Sequence, residues 1–82
     1  MAKRRALVTG GNRGIGRAIA EALVAEGHDV FIGARELDQG REVASQIGAR
    51  AVELDLTNFG TISSAVQETG GVEILVNNAG VL

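Results

Sequence analysis

The 82-residue sequence has no cysteine and no proline, and Phe31 and Phe59 are its only aromatic residues. Without cysteine no disulfide can brace so small a domain, and a cysteine-free chain fits a reducing compartment. The single histidine, His28, has no cluster of other metal-ligating residues near it, so no metal site is predicted. The core must therefore consist of Val, Ile, Leu and Ala, which supply most of the 45% apolar residues.

Charge and long apolar runs are also scarce. The formal net charge is −2, which argues against nucleic acid as the main partner. No apolar stretch approaches the roughly 20 residues that a membrane-spanning helix needs. Apolar Ala6–Val8 is cut short by a glycine turn, so no signal peptide is visible. We expect a cytoplasmic protein that binds neither nucleic acid nor a membrane.

Short apolar runs recur along the chain with centres 24, 21 and 23 residues apart. These runs are Ala6–Val8, Val30–Ile32, Ala51–Val52 with Leu54, and Ile74–Val76. Strands at this spacing, separated by helical patterns, are typical of repeating βα units and a parallel sheet.

Helical patterns fill the segments between the runs. The first helix is predicted to turn inward Ile15, Ala18, Ile19, Ala22 and Leu23, and to end at Gly27. A weaker second helix could be capped by Asp38 and stopped by Gly48, with Val43, Ala44 and Ile47 inward. Thr57 or Asn58 could cap a third, with Phe59, Ile62, Ala65 and Val66 inward and Gly70–Gly71 at its end.

The predicted order is therefore β-α-β-α-β-α-β, an α/β fold with three layers and a parallel sheet. Right-handed crossovers put the first two helices on one face of the sheet and the third helix on the other. The resulting strand order is 3-2-1-4, which is a partial Rossmann-like sheet. A ligand crevice is expected between strands 1 and 4, where the direction of winding reverses.

The most specific stretch joins the first strand to the first helix and reads Thr9-Gly10-Gly11-Asn12-Arg13-Gly14-Ile15-Gly16. Glycines allow a sharp turn and a close backbone approach to a pyrophosphate. The start of the helix supplies unpaired N–H groups and the positive end of a dipole. A glycine-rich turn between a strand and a helix thus predicts a dinucleotide phosphate site.

The spacing of Gly10, Gly14 and Gly16 is G-x-x-x-G-x-G. It resembles the T-G-x-x-x-G-x-G motif of the short-chain dehydrogenase/reductase family. Two further matches follow in order: Asp55-Leu56 after the third strand and Asn77-Asn78-Ala79-Gly80 after the fourth. The resemblance covers essentially the whole chain, so residues 1–82 are expected to form the N-terminal part of a Rossmann dinucleotide-binding domain.

The resemblance implies a role for each matching position. The glycine turn would hold the pyrophosphate and the adenosine ribose, Asp55 and the backbone of Leu56 would contact adenine, and the Asn77–Gly80 turn would lie beside the ribose. The expected cofactor-binding residues are Thr9, Gly10, Asn12, Arg13, Gly14, Ile15, Gly16, Arg35, Asp55, Leu56, Asn77, Ala79 and Gly80.

The second strand ends Gly33-Ala34-Arg35-Glu36, and this segment bears on the choice of cofactor. An NAD-binding protein places an acid at the end of this strand for the ribose 2′-hydroxyl. In the family pattern that position is Ala34, followed by Arg35. A guanidinium there suits a 2′-phosphate, and Arg13 resembles a basic residue that family members use for the same group. NADP(H) is therefore favoured; NAD(H) stays open, because a one-residue slip would make Glu36 the ribose acid.

Catalysis in the family uses a Tyr-x-x-x-Lys pair and a Ser on later elements. The sequence contains no tyrosine and ends two residues after Gly80, so we assign no catalytic residue to it. Three interpretations remain: the NADP(H)-binding portion of an oxidoreductase, a stand-alone binding module, or a fragment that completes its sheet with another chain. An apolar fourth strand with Glu73 as its only nearby charge also predicts self-association, or binding of a complementing chain, through that edge.

Overall fold

The structure is a computed structural model that describes residues 2–78. Its elements are β1 (Arg5–Thr9), α1 (Gly14–Ala25), β2 (Asp29–Ala34), α2 (Leu37–Ile47), β3 (Arg50–Glu53), α3 (Phe59–Thr69) and β4 (Ile74–Val76). All strand pairs are parallel and their order is β3-β2-β1-β4, which confirms the predicted topology. No helix in residues 2–78 is long and apolar enough to cross a membrane.

The core lies on both faces of the sheet because successive strand residues point to opposite sides. One cluster joins α1 and α2 to the sheet and contains Ala6, Val8, Ala20, Val30, Ile32 and Ala44. The other lies under α3 and contains Leu7, Phe31, Val52, Leu54 and Ala65. The two-plus-one distribution of the helices follows the right-handed crossovers expected from the sequence.

The register brings the carboxyl ends of the strands to one edge of the sheet. Thr9 at the end of β1 lies beside Gly33 of β2, and Val8 lies beside Val76 at the end of β4. The helices that lead into the two neighbours of β1 lie on opposite faces of the sheet, since α1 precedes β2 and α3 precedes β4. A crevice therefore opens above the end of β1, as expected at a topological switch point.

The buried face of α1 is rotated from the predicted one. Gly16 and Ala20 are its buried residues, whereas Ile15 is 73% exposed and Ala18 and Ala22 are also exposed. The helix begins directly against the turn that follows β1, so only its smallest side chains fit between helix and sheet. Ile19 and Leu23 pack along the flank, as predicted.

The expectation for α3 was wrong at two positions. Ala65 is buried and Ile62 is half-buried, but Phe59 is 84% exposed and Val66 is 58% exposed. The helix packs on the sheet through Ala65 and Ile62, and the other residues of its apolar stripe project past that contact into solvent.

The capping residues expected from the sequence agree with the observed helix ends at some positions and not at others. Asn58 caps α3, because its side-chain oxygen accepts a hydrogen bond from the Gly60 N–H at 3.0 Å. Asp38 does not cap α2: the helix begins after Glu36, whose backbone is extended, and Asp38 lies in the first turn. A carboxylate there still interacts favourably with the helix dipole. Gly48 ends α2 in the left-handed conformation that its lack of a side chain permits.

Candidate nucleotide-binding site

The turn between β1 and α1 depends on two glycines with positive φ. Gly10 has φ 65° and Gly14 has φ 61°, a region that other residues adopt at a cost of about 1–2 kcal/mol. Gly10 donates its N–H to the Gly33 carbonyl at 2.9 Å, which ties the turn to β2. Arg13 stands at the N-cap of α1 without a side-chain capping bond, so the first N–H groups of α1 are available to a ligand.

Two further glycines are required by space. A Cβ on Gly16 would lie 2.5 Å from the Gly10 carbonyl oxygen and 2.6 Å from Asn78 Nδ2. A Cβ on Gly11 would lie 2.7 Å from Ile32 Cγ2. The helix and the turn therefore approach each other, and the sheet beneath them, more closely than any side chain would allow. This approach brings backbone N–H groups to the surface of the crevice.

Thr9 joins the end of β4 to the turn. Thr9 is 4% exposed, and its hydroxyl oxygen accepts a hydrogen bond from the Asn78 N–H at 2.8 Å. The hydroxyl hydrogen can point to the Val76 carbonyl at 3.3 Å or to Asn77 Oδ1 at 3.4 Å. Asn78 Nδ2 donates in turn to the Gly10 carbonyl at 3.4 Å. Thr9 thus links the end of β4 and Asn78 to the start of the glycine turn.

The crevice has a volume of about 570 Å³. It is lined by Gly10, Asn12, Arg13, Gly33, Ala34, Arg35, Glu36, Gln39, Leu54 and Asn78. Four expected cofactor-binding residues, Gly10, Asn12, Arg13 and Arg35, therefore meet in one place. Gln39 was not anticipated, because it lies three residues after Glu36, an N-cap of α2 that the sequence did not indicate.

Other expected site residues lie around the crevice or away from it. Gly14 and Gly16 form the start of α1, and Asp55 follows β3. The side chains of Ile15 and Leu56 do not line the crevice: Ile15 projects from α1, and Leu56 and Asn77 line a groove on the α3 face of the sheet. The expected positions Ala79 and Gly80 lie outside the described residues.

Charge in the crevice is concentrated at the end of β2. Arg13 and Arg35 are exposed, and within residues 2–78 neither guanidinium forms an ion pair or a hydrogen bond. Glu36 shares the same rim at the N-cap of α2. Two guanidinium groups with free donors can bind an anion through charge-assisted, bidentate hydrogen bonds.

Asp55 is kept ionised by its own loop. Oδ1 accepts hydrogen bonds from the Thr57 hydroxyl at 2.7 Å and from the Thr57 N–H at 2.9 Å. These two bonds lower the pKa of Asp55 below its ordinary value, the hydroxyl having the larger effect, and the positive charge of Arg35 adds to it. The second carboxylate oxygen has no hydrogen-bond partner within residues 2–78, so it can accept from a ligand amino group.

Replacing Thr57 with valine is expected to raise the pKa of Asp55, because the stronger of its two donors is removed. A carboxyl-detected NMR titration would show the shift, and Thr57→Ser, which keeps the hydroxyl, should leave the pKa unchanged. The lowered pKa stabilises the folded state above the unfolded pKa of about 3.9. The stability difference between Thr57→Val and the parent should therefore disappear as the pH falls through the folded pKa of Asp55. An unaltered pKa in Thr57→Val would contradict the assigned cause.

The comparison with known proteins agrees with this geometry. A family model described as short chain dehydrogenase matches residues 4–82. The chain belongs to the short-chain dehydrogenase/reductase family. This is an oxidoreductase family whose members bind nicotinamide cofactors.

Individual members of the family are similar over nearly all of the chain. Sorbitol dehydrogenase of Cereibacter sphaeroides is 46% identical, with 93% of this chain and 32% of that enzyme aligned. A 3-oxoacyl-acyl-carrier-protein reductase of Salmonella typhimurium is 44% identical over 93% of this chain and 34% of the enzyme. The Pseudomonas aeruginosa RhlG/NADP active-site complex superposes with a TM-score of 0.89 at 38% identity, covering 99% of this chain and 36% of that one. The chain thus spans about a third of the length of the family members that it matches.

Proposed function

We propose that this chain is the NADP(H)-binding portion of a short-chain dehydrogenase/reductase, residues 1–82 being the N-terminal part of its Rossmann domain. The complete protein would transfer hydride between the nicotinamide ring and a carbonyl or alcohol substrate. The observation that supports the proposal is the pair of guanidinium groups, from Arg13 and Arg35, in the crevice beside Ala34. The NADP complex of the Pseudomonas aeruginosa relative supports the same cofactor. A cytoplasmic location, favoured by the cysteine-free composition, belongs to the same proposal.

The groups around the crevice fit a dinucleotide. A Cβ on Gly16 would fill the space where the turn meets α1, so the glycine keeps the helix N-terminus within reach of a pyrophosphate. Arg13 and Arg35 would neutralise the 2′-phosphate, and the ionised Asp55 would accept from the adenine amino group. When bound, the cofactor supplies the hydride; this chain's residues bind and orient its adenosine end.

The alternative cofactor is NAD(H), with Glu36 in place of the ribose acid. Glu36 lines the crevice but directly follows Arg35 and stands at the N-cap of α2. A ribose 2′-hydroxyl would leave the two guanidinium groups without a phosphate to bind through charge-assisted hydrogen bonds. The balance of charge therefore favours the phosphorylated ribose.

Titration of the chain with NADPH and NADH, followed by nicotinamide fluorescence, tests the proposal. We expect NADPH to bind at least tenfold more tightly, because a hydrogen bond to a charged group contributes about 1.5–3 kcal/mol. Arg35→Asp should remove that preference by weakening NADPH and not NADH. Arg41→Gln, on the exposed surface of α2 and outside the crevice, is the control and should change neither affinity. Equal affinities of the parent chain for the two nucleotides would reject NADP(H) selectivity.

A second candidate function is a stand-alone nucleotide-binding or sheet-completing module without catalytic activity. The observation in its favour is β4, an edge strand in residues 2–78 with apolar residues at every position. Such an edge can accept a strand from another chain. Nucleotide binding with no change in oligomeric state would favour the first function over the sheet-completing one.

A further inference from the structure

Thr61 connects the first turn of α3 to the segment that follows β3. Its hydroxyl oxygen accepts the Asp55 N–H at 2.9 Å. Its hydroxyl hydrogen can point to the Asp55 carbonyl at 2.9 Å or to the Asn58 carbonyl at 2.8 Å. The Asn58 N–H donates to the same Asp55 carbonyl at 2.9 Å. Both main-chain groups of Asp55 are therefore held by residues that come later in the chain.

The hydroxyl of Thr61 does more than support its own helix. Asn58 already caps α3 by accepting from the Gly60 N–H, and the Thr61 N–H donates to the Asn58 carbonyl at 3.1 Å. Thr69, near the other end of α3, donates its hydroxyl to the Val66 carbonyl of the same helix at 3.0 Å. The Thr61 hydroxyl differs because it also accepts from Asp55, a residue outside the helix.

The carboxylate of Asp55 is held separately from its main chain. The hydroxyl and the N–H of Thr57 both donate to Oδ1, which leaves Oδ2 as the oxygen without a hydrogen-bond partner within residues 2–78. Thr61 and Thr57 together fix the direction of Oδ2 before any ligand arrives. An acceptor that is already oriented binds with a smaller loss of side-chain freedom.

Asp55 borders the crevice that holds the proposed nucleotide site. Leu54, the residue before it, lines the crevice, and a Cβ on Gly33 would lie 2.8 Å from Leu54 Cδ2. The Thr57 hydroxyl, the Thr57 N–H and then the charge of Arg35 lower the pKa of Asp55, so the carboxylate lies within electrostatic reach of the crevice rim. An apolar surface beside an oriented acceptor suits an aromatic base that carries an amino group.

We propose that Thr61 is a positioning residue for base recognition, because its hydroxyl holds the main chain of Asp55 so that Oδ2 accepts from the adenine amino group. The inference rests on the proposed function, since it assigns this loop to the adenine of the bound dinucleotide. Hypoxanthine has a carbonyl oxygen in place of that amino group, so Oδ2 would face a second acceptor. The site should therefore distinguish the two bases, and the distinction should depend on Thr61 even though Thr61 acts only through Asp55.

Titration of the chain with NADPH and with its reduced hypoxanthine analogue, followed by nicotinamide fluorescence, tests the role of Thr61. The parent should bind the adenine form about tenfold more tightly, because the lost hydrogen bond involves a charged group. Thr61→Val, which keeps the shape and removes the hydroxyl, should reduce this ratio to about threefold or less, because Oδ2 is no longer oriented in advance. Thr61→Ser should keep the parent ratio.

Thr69→Val is the matched control for Thr61→Val. It makes the same substitution in the same helix and also removes a hydroxyl that bonds a carbonyl three residues earlier, but at the end of α3 away from Asp55. A general loosening of α3 would affect both variants. We expect Thr69→Val to retain the parent preference for adenine.

Asp55→Asn tests which atom of the side chain faces the base. The two Thr57 donors would retain the side-chain oxygen of asparagine, so its amide N–H would face the ligand. An N–H donor matches the hypoxanthine carbonyl and not the adenine amino group. The preference should therefore reverse in favour of the hypoxanthine dinucleotide.

Hydrogen exchange of the Asp55 amide provides a readout that needs no nucleotide. Exchange should be faster in Thr61→Val than in the parent, because the amide loses its acceptor, and unchanged in Thr61→Ser. Thr61→Ala, which also lacks the hydroxyl and favours a helix, should behave as Thr61→Val does and replaces it if valine disturbs α3.

The outcomes separate this inference from the choice of cofactor. Equal affinities of the parent for the two bases, or a parent ratio retained in Thr61→Val and Thr61→Ala, would overturn the role of Thr61 while the preference for NADPH over NADH stands. Equal affinities for NADPH and NADH would instead reject NADP(H) selectivity, and the base preference is then measured with NADH and its hypoxanthine analogue. A chain that binds none of these nucleotides would reject both proposals.

Discussion

Gly16→Ala is expected to destabilise the chain by about 2–3 kcal/mol, the upper part of the roughly 1–3 kcal/mol range for overpacking a well-packed site. The new Cβ would lie 2.5 Å from the Gly10 carbonyl oxygen, which is backbone, and 2.6 Å from Asn78 Nδ2. The Asn78 side chain can move, but the turn can give way only by shifting away from α1. Alanine improves helix propensity by roughly 1 kcal/mol over glycine, which offsets only part of this cost. Urea unfolding followed by circular dichroism would measure the difference.

The same substitution should weaken NADPH binding more than tenfold, because the displaced turn no longer aims its N–H groups at one point. Gly14→Ala is the matched control in the same helical turn. Its Cβ would meet nothing within 4 Å, and only the φ of 61° is unfavourable, so we expect a loss of about 1–2 kcal/mol. Equal stability of Gly16→Ala and the parent would show that helix and turn are not in close contact.

Ile32→Ala is expected to cost about 3–4 kcal/mol, within the range for truncating a buried aliphatic residue. Ile32 is fully buried in the cluster under α1 and α2, and its Cγ2 lies directly below Gly11. A domain of this size has a free energy of unfolding of roughly 4–12 kcal/mol. The substitution therefore removes a large share of the stability and leaves a cavity beneath the nucleotide turn.

Ligand binding should restore part of that loss. NADPH at a hundred times its dissociation constant would stabilise the folded Ile32→Ala chain by about 2.7 kcal/mol. Ile32→Val, which removes one methyl group, should cost only about 0.5–1.5 kcal/mol. Val66→Ala, a truncation at a residue that is 58% exposed, should change stability by no more than about 0.5 kcal/mol. Thermal unfolding of the three variants with and without NADPH measures all of these effects, and an Ile32→Ala chain as stable as Val66→Ala would refute the assigned core.

The errors in the sequence-based expectations share one cause. Periodicity identified the apolar stripes of α1 and α3 but could not tell which edge of each stripe meets the sheet. Ile15, Phe59 and Val66 lie on the edges that face away from it. The answer depends on how far each helix is offset across the strands, and that offset is set by contacts between distant residues, such as Gly16 with Gly10 and Ala65 with the sheet.

The cap of α2 illustrates the same limit at shorter range. Asp38 has the residue type that favours an N-cap, yet the helix begins after Glu36, because β2 runs to Ala34 and the crossover to α2 is short. The path of the chain from β2 to α2, and not the capping preference of Asp38, determines the first residue of the helix. That choice also decided that Gln39 reaches the crevice.

What the sequence determined by itself was the order of elements, the strand order and the place of the nucleotide turn. These follow from local physics: apolar spacing selects strand or helix, glycine permits the positive φ of Gly10 and Gly14, and right-handed crossovers leave one arrangement of the helices. Only the tertiary structure decided which residues share a surface. It placed Gln39 in the crevice with Arg13 and Arg35, and it tied Asn78 to Thr9 and Gly10. Each of these contacts depends on strand register and on the packing distance between segments that are far apart in the chain. The packing distance is limited by the size of the side chains that lie against a neighbouring backbone.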